Sequence, residues 1–132
     1  MQQTDADSVK VIIDTNGLMV AEQFGVDIFG ELMRLGYIEW LVPAPVIGEL
    51  RSLAEGADKG RDKTAARVAL GLAECCKVVG IDNCPADQAI SDLAEKEGAA
   101  VFTNDKALKK RLFTKGITVI YLRQGRYLEA TK

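Results

Sequence analysis

Four carboxylates are the side chains of this chain best suited to chemistry. They are Asp14 at the end of VKVIID, Glu49 in VIGEL, Asp87 in PADQAI and Asp105 just after VFTN. Carboxylate oxygens are the ligands that Mg²⁺ and Mn²⁺ prefer, and such cations can activate water for hydrolysis. Acids that are brought together repel one another unless a cation neutralises them. If the fold gathers these four, the pattern predicts a divalent-metal site.

Helix capping is the simpler explanation for each acid taken alone. Asp and Glu are common at helix N-termini, where they accept hydrogen bonds from amides and meet the positive end of the helix dipole. This explanation fits Asp87 and Asp105, which lie where helices are expected to begin. It fits Asp14 and Glu49 less well, because both lie among apolar residues and a buried acid is costly to desolvate.

The chain contains no histidine, and this absence removes whole classes of active site. Neither a Ser–His nor a Cys–His nucleophile pair can form, and no imidazole can bind a metal. The three cysteines include no CxxC pair, so the sequence gives little support for a zinc site. Any metal ligands are therefore expected to be oxygens, which favours magnesium or manganese.

The elements that must position these acids alternate along the chain. Apolar, β-branched runs predict strands, and apolar residues at helical spacing predict the helices between them. Strands are expected at residues 9–14, 39–42, 77–81, 99–103 and 118–122, helices at 25–36, 45–53, 64–74, 85–97 and 104–113, and a loop at 56–63.

Short, continuously apolar strands joined through helices indicate a mainly parallel sheet that is covered on both faces. The expected fold is therefore α/β: a three-layer α/β/α sandwich around a central, mainly parallel five-stranded sheet. Ligands of such sheets bind beyond the carboxyl ends of the strands. Each strand-to-helix junction here delivers one of the four acids to that edge.

The length of 132 residues fits one domain, which we expect at residues 9–128 after a flexible N-terminus at 1–8. The apolar stretches are strand-sized, far short of the ~20 residues that a membrane span needs. The first ten residues lack the apolar core of a signal peptide. These features predict a soluble, cytoplasmic protein. The net charge of −2 disfavours binding to nucleic acid through overall charge, although a local patch could still bind it.

The motifs around the four acids resemble those of the PIN-domain family over nearly the whole chain. VIIDTNGL is similar to the opening motif, with Asp14 as first acid, and PAPVIGEL carries the helix glutamate at Glu49. PADQAISDLA resembles the third motif and selects Asp87 rather than Asp92. VFTNDKALKKRL resembles the closing motif, with Asp105 as its acid. Within the family, QFGVDIFGELMRLG and AARVAL look closest to the subgroup that processes small-subunit ribosomal RNA and to its archaeal relatives.

This resemblance implies a metal-dependent endoribonuclease. One or two Mg²⁺ or Mn²⁺ ions held by the four acids would serve the hydrolysis of RNA phosphodiester bonds, leaving 5′-phosphate and 3′-hydroxyl ends. Thr15, Asn16 and Thr103 would orient the carboxylates and water. Some members carry a further acid where this chain has Ala107, so the number of ions stays open.

Basic residues near the last acid are expected to contact RNA phosphates. The expected RNA-binding residues are Lys106, Lys109, Lys110 and Arg111, with Arg61 and Lys63 as a second group. The alternative is that lysines late in a helix simply favour its dipole and solvent. Only 6% of the residues are aromatic, which predicts a minor part for base stacking.

Two other functions stay open: the toxin ribonuclease of a toxin–antitoxin pair, and a non-catalytic module that binds RNA or protein. A phosphatase with an aspartyl nucleophile is disfavoured, because it needs a second acid where this chain has Asn16. RNA is the expected partner, single-stranded or structured, with an rRNA precursor as one candidate. The resemblance leaves open a homodimer, an antitoxin and a ribosome-assembly partner, and no membrane partner is expected.

Overall fold

A computed structural model describes residues 9–56, 60–80 and 85–131. The strands in these ranges are β1 (Lys10–Ile13), β2 (Glu39–Pro43), β3 (Lys77–Val79), β4 (Ala100–Phe102), β5 (Val119–Arg123) and β6 (Tyr127–Ala130). The helices are α1 (Thr15–Phe24), α2 (Ile28–Arg34), α3 (Ala44–Glu55), α4 (Gly60–Ala73), α5 (Ala86–Glu97) and α6 (Lys106–Thr114).

The strands form one sheet in the order β3-β2-β1-β4-β5-β6. All neighbouring pairs are parallel except β5 and β6, which are antiparallel. The expected α/β fold with a mainly parallel sheet is confirmed. The expected number of five strands was wrong, because β6 adds a sixth along β5.

The core is built on the central strands. Ile12, Ile13, Val101, Phe102 and Ile120 are fully buried, as expected for strands covered on both faces. Helix α5 packs against β1, β2 and β4, and α6 packs against β5. Helices α1 and α3 both pack against α4. Burial of each apolar side chain of the central strands contributes roughly 1.5–3 kcal/mol to the free energy of folding.

Two elements were missing from the sequence prediction and one began earlier than expected. Helix α1 begins directly after β1, where the polar Asp-Thr-Asn-Gly sequence resembles a turn. Strand β6 follows a turn in which Gln124 (φ 57°) and Gly125 (φ 67°) adopt left-handed conformations. Helix α4 begins at Gly60, inside the predicted loop at 56–63, because packing against α1 and α3 extends it.

The predicted flexible segment at residues 1–8 lies outside the described residues. Among the helices that the structure describes, none is long and apolar enough to span a bilayer.

Candidate functional site

The centre of the sheet is where its connectivity changes direction. The chain passes from β1 outward to β2 and β3, and then returns to β4 on the opposite side of β1. A crevice forms beyond the carboxyl ends of strands at such a switch point, and this is where ligands of α/β sheets bind. Asp14 follows β1 at this point, and its backbone N–H donates to the Phe102 carbonyl of β4 at 3.2 Å.

Asp14 is a buried carboxylate with both oxygens in hydrogen bonds. Its Oδ1 caps α1 by accepting from the Gly17 N–H at 2.7 Å, and its Oδ2 accepts from the Thr103 hydroxyl at 2.5 Å. The pKa of Asp14 is raised to about 7, mainly by burial and to a smaller extent by the charges of Asp105 and Asp87, although the two hydrogen bonds lower it. The side chain is only 5% exposed, so its charge is poorly solvated.

Thr103 connects two of the four acids. The residue is fully buried at the end of β4, and its hydroxyl donates to Asp14 while accepting from the Asp105 N–H at 3.0 Å. Asp105 in turn caps α6, because its Oδ1 accepts from the N–H groups of Ala107 and Leu108 at 2.9 and 3.1 Å. Capping is therefore one role of both Asp14 and Asp105, although the sequence made this role less expected for Asp14.

Glu49 and Asp87 lie at exposed positions near Asp14, and we call the sheet edge that carries these two acids together with Asp14 and Asp105 the rim. The Thr15 hydroxyl, next to Asp14 in the chain, donates to Glu49 Oε1. The expectation that Glu49 is costly to desolvate was wrong, because α3 turns this side chain towards solvent. Asp87 lies in the first turn of α5, where Pro85 is the cap residue and makes no side-chain capping bond. The negative charge of Asp87 contributes to the raised pKa of Asp14.

The sequence of this chain matches a known protein family. A model of the PIN like domain matches residues 11–125, which is most of the chain. The chain belongs to the PIN-like domain family. The resemblance stated from the motifs is thereby confirmed.

Individual relatives extend this comparison to nearly the full length. Ribonuclease VapC9 of Archaeoglobus fulgidus is 37% identical over 115 residues, covering 87% of this chain and 84% of the relative. Ribonuclease VapC4 of Methanocaldococcus jannaschii is 34% identical over 124 residues, covering 91% and 95%. The solved structure of the PIN domain endonuclease Utp24 superposes with a TM-score of 0.76 and 26% identity, covering 94% of this chain and 92% of that one.

The donor chemistry of this PIN-like rim suits a hard cation. The four predicted ligands offer only carboxylate oxygens, the set that Mg²⁺ and Mn²⁺ prefer. As the side chains are placed, no three acids or cysteines within the described ranges form a group ready to hold an ion. Glu49 and Asp87 are exposed, however, and exposed side chains can turn towards Asp14 by changing rotamer.

The remaining predicted polar residues are not all brought to the rim. Thr15 and Thr103 contact Glu49 and Asp14, as described above. Asn16 is exposed on α1 and makes no hydrogen bond to these acids within the described part of the chain. Nothing in the sequence distinguishes Asn16 from Thr15 in this respect.

The basic residues divide into two groups. Lys106, Lys109 and Lys110 line one groove along α6, and the Lys109 ammonium lies over the Tyr121 ring, 3.6 Å from its centroid. Arg111 is exposed on the same helix but does not line that groove. In the second group, Lys63 is half-buried in α4, and the side chain of Arg61 lies outside the described residues.

Gly17 is a residue of the rim that sequence reasoning missed. A Cβ at this position would stand 2.8 Å from the Phe102 carbonyl oxygen and 3.1 Å from Ile13 Cγ2. Only glycine therefore lets the first turn of α1 approach β4 closely enough for Asp14 to cap it. The signal was a glycine three residues after an acid that ends a buried strand.

Proposed function

We propose that this protein is a metal-dependent endoribonuclease whose active site is the acidic rim. Asp14, Glu49, Asp87 and Asp105 would hold Mg²⁺ or Mn²⁺, one or two ions, and RNA phosphodiester bonds would be hydrolysed there. The observation that carries the proposal is the buried Asp14 carboxylate at the switch point, linked through Thr103 to Asp105. An acid in that position is unfavourable for folding unless a cation compensates it.

The protein residues contribute positioning and charge. The Gly17 N–H and the Thr103 hydroxyl hold the two oxygens of Asp14 in one orientation, so this carboxylate is preorganised. Glu49 approaches from the exposed side of α3, and Asp87 approaches from the first turn of α5. The bound cation would supply a lowered pKa for water and charge neutralisation for the scissile phosphate.

Lysines beside the rim would hold the RNA backbone. Lys106 is the first residue of α6, directly after Asp105, and it is exposed. Lys110 lies one turn further along the same side of the helix. Positive charges at these positions would contact phosphates on either side of the bond that is cut. Arg111 and Lys63 would contribute at longer range through the electrostatic field, and we extend this role to Arg61 as well.

The test is cleavage of end-labelled RNAs with Mg²⁺ or Mn²⁺, comparing the wild type with Asp14→Asn. We expect cutting that EDTA abolishes and that the variant lacks, with 5′-phosphate product ends. Calorimetric titration with Mn²⁺ adds a readout that is independent of turnover, and we expect tight binding to the wild type alone. Equal cutting by both proteins would contradict the proposal, as would binding of RNA without any cutting.

The biological role has two candidates. Ribosomal RNA processing is favoured by the motif resemblance to the small-subunit subgroup, and the likeness to the PIN domain endonuclease Utp24 supports internal cleavage. A toxin ribonuclease held by an antitoxin is favoured by the higher identity, 37% and 34% against 26%, to the two archaeal ribonucleases.

Induced expression in a host separates these roles. Growth arrest caused by the wild type, relieved both by Asp14→Asn and by a co-expressed neighbouring small protein, would support the toxin. Accumulation of an uncut rRNA precursor after depletion of the protein would support processing. For either role the protein is expected to act in the cytoplasm.

A further inference from the structure

Among the six large apolar side chains that are exposed in the described residues, Phe113 has a distinct environment. It is 58% exposed near the end of α6 and lines a groove of about 320 Å³ together with Lys106, Lys109, Lys110 and Thr131. Single exposed apolar side chains are common on protein surfaces. An exposed aromatic ring that shares a groove with three lysines is a more specific combination, because it pairs a flat apolar face with positive charge.

The helix geometry explains how this groove forms. Leu108 and Leu112 form the buried face of α6, so Phe113 is turned about 100° away from the core. Residues spaced four and then three apart lie on one side of a helix, which places Lys106, Lys110 and Phe113 in a row. The row begins beside Asp105 and extends about 10 Å along the helix axis.

The charges of the groove are available to a ligand. Lys106 and Lys110 are exposed and form no ion pair with any residue that the structure describes. Lys109 is held over the Tyr121 ring, whose hydroxyl donates to Glu129 at 3.0 Å. A positive groove with an apolar floor matches a strand of nucleic acid, which offers phosphates and flat base faces together.

We propose that this α6 groove binds a single-stranded segment of RNA, with a base stacked on Phe113 and phosphates on Lys106 and Lys110. The inference rests on the proposed function for the identity of the ligand as RNA. It goes further by assigning a subsite beyond the four acids, in which the Phe113 ring contacts an unstacked base. A duplex keeps its bases stacked on one another and offers no face to the ring. Base stacking therefore has a larger role than the low aromatic content predicts.

The test measures RNA binding without cleavage, in EDTA. Single-stranded and duplex RNAs of one sequence are titrated by fluorescence anisotropy, and 2-aminopurine in the single strand reports stacking. We expect Phe113→Ala to lower the single-strand affinity roughly five- to a hundred-fold and to abolish the 2-aminopurine quenching. Duplex affinity should stay within about twofold, because phosphate contacts are unchanged.

Three further variants make the test specific. Phe113→Trp keeps an aromatic face and should retain the affinity. Phe24→Ala is the matched control, because Phe24 is 51% exposed on α1, next to Gly125 and far from the α6 lysines in sequence. We expect it to bind RNA as the wild type does. Lys110→Ala should instead flatten the dependence of log affinity on log salt by about 0.7.

The outcomes distinguish this inference from the proposed function. Unchanged single-strand affinity of Phe113→Ala would overturn the groove assignment even if the wild type cuts RNA. Loss of affinity in that variant would support the assignment even if no metal restored cutting. A change in molar mass by light scattering, at unchanged RNA affinity, would overturn it and identify Phe113 as a contact between copies of the chain.

Discussion

Two regions of this molecule treat the same chemical group in opposite ways. At the rim, burial and the neighbouring acids together raise the pKa of Asp14 to about 7. At the outer edge of the sheet, the Arg34 side chain and the Leu128 N–H donate to Glu31 and lower its pKa. The Arg123 guanidinium likewise lowers the pKa of Glu129, its partner at 2.6 Å.

The contrast separates acids that stabilise the folded state from acids that destabilise it. Glu31 and Arg34 together satisfy both backbone groups of Leu128, and so protect β6, which is an edge strand. Asp14 has hydrogen bonds but no cationic partner within the described residues, and the negative charges of Asp105 and Asp87 act on it. A buried charge without a counter-charge is characteristic of functional sites. We therefore expect rim substitutions to change chemistry first and edge substitutions to change stability first.

The largest difference is expected between two aspartates of α5. Asp87→Asn should lower RNA cleavage at least about a hundred-fold, because a lost metal ligand removes several kcal/mol of transition-state stabilisation. Asp92→Asn should cut within about twofold of the wild type, because Asp92 is exposed and, among the residues that the structure describes, accepts a hydrogen bond only from Gln88 at 2.9 Å. Similar rates for the two variants would remove Asp87 from the active site.

A smaller loss is expected when the connection between Asp14 and Asp105 is removed. Thr103→Val keeps the shape but lacks the hydroxyl, so Mn²⁺ affinity and cleavage should each fall roughly 10- to 100-fold. Thr114→Val is the control, because Thr114 is exposed and its hydroxyl donates to the Lys110 carbonyl of its own helix at 2.9 Å. If Thr103→Val bound Mn²⁺ like the wild type, the hydroxyl would have no role in orienting Asp14.

Two glycines in helices should respond to alanine with opposite signs. Gly17→Ala should lower the free energy of unfolding by roughly 1–3 kcal/mol, because its Cβ would overlap the Phe102 carbonyl. Gly71→Ala should raise it by up to about 1 kcal/mol, because Gly71 has open space around its Cβ position in α4. Urea denaturation measures both, and equal effects would mean that α1 does not need its close approach to β4.

The smallest effect concerns the sheet edge. Glu31→Ala should lower the free energy of unfolding by about 1 kcal/mol and leave RNA cleavage unchanged. The pKa of Glu31 is lowered in the fold, so its contribution is present above pH 4.5 and is lost as the pH falls further. A loss of cleavage at unchanged stability would contradict the division between the two regions.

Much of the site could be predicted because its signals are local. Asp14 follows one apolar strand, and Thr103 and Asp105 follow another. In a parallel sheet these positions lie at the same edge, independently of the conformation of the loops. The pairing of β1 with β4 then brings Asp14 and Asp105 together. The exposure of Glu49 was not predictable in this way, because it depends on how α3 is rotated against α4.

The missed elements depend on contacts that are distant in sequence. Strand β6 is short and is stabilised by pairing with β5 and by the hydrogen bonds of Glu31 and Arg34, almost a hundred residues earlier in the chain. The role that we propose for Phe113 could not be predicted for a similar reason. The sequence around Phe113 shows only an aromatic residue near the end of a helix. The packing of α6 places its ring in a groove with the lysines.

The most direct test of the account is the stability of the wild type and Asp14→Asn as a function of pH, in EDTA and in Mn²⁺. Asparagine can accept from the Gly17 N–H and donate to Thr103, so the variant should fold. In the wild type the raised pKa of Asp14 favours the protonated form, and its contribution to stability is lost as the pH rises from about 4 to about 7. At pH 8 in EDTA we predict that Asp14→Asn is more stable by roughly 2–4 kcal/mol, that Mn²⁺ stabilises only the wild type, and that only the wild type cuts RNA. A variant that is less stable than the wild type at pH 8, or one that Mn²⁺ stabilises equally, would contradict the claim that Asp14 is kept for metal binding.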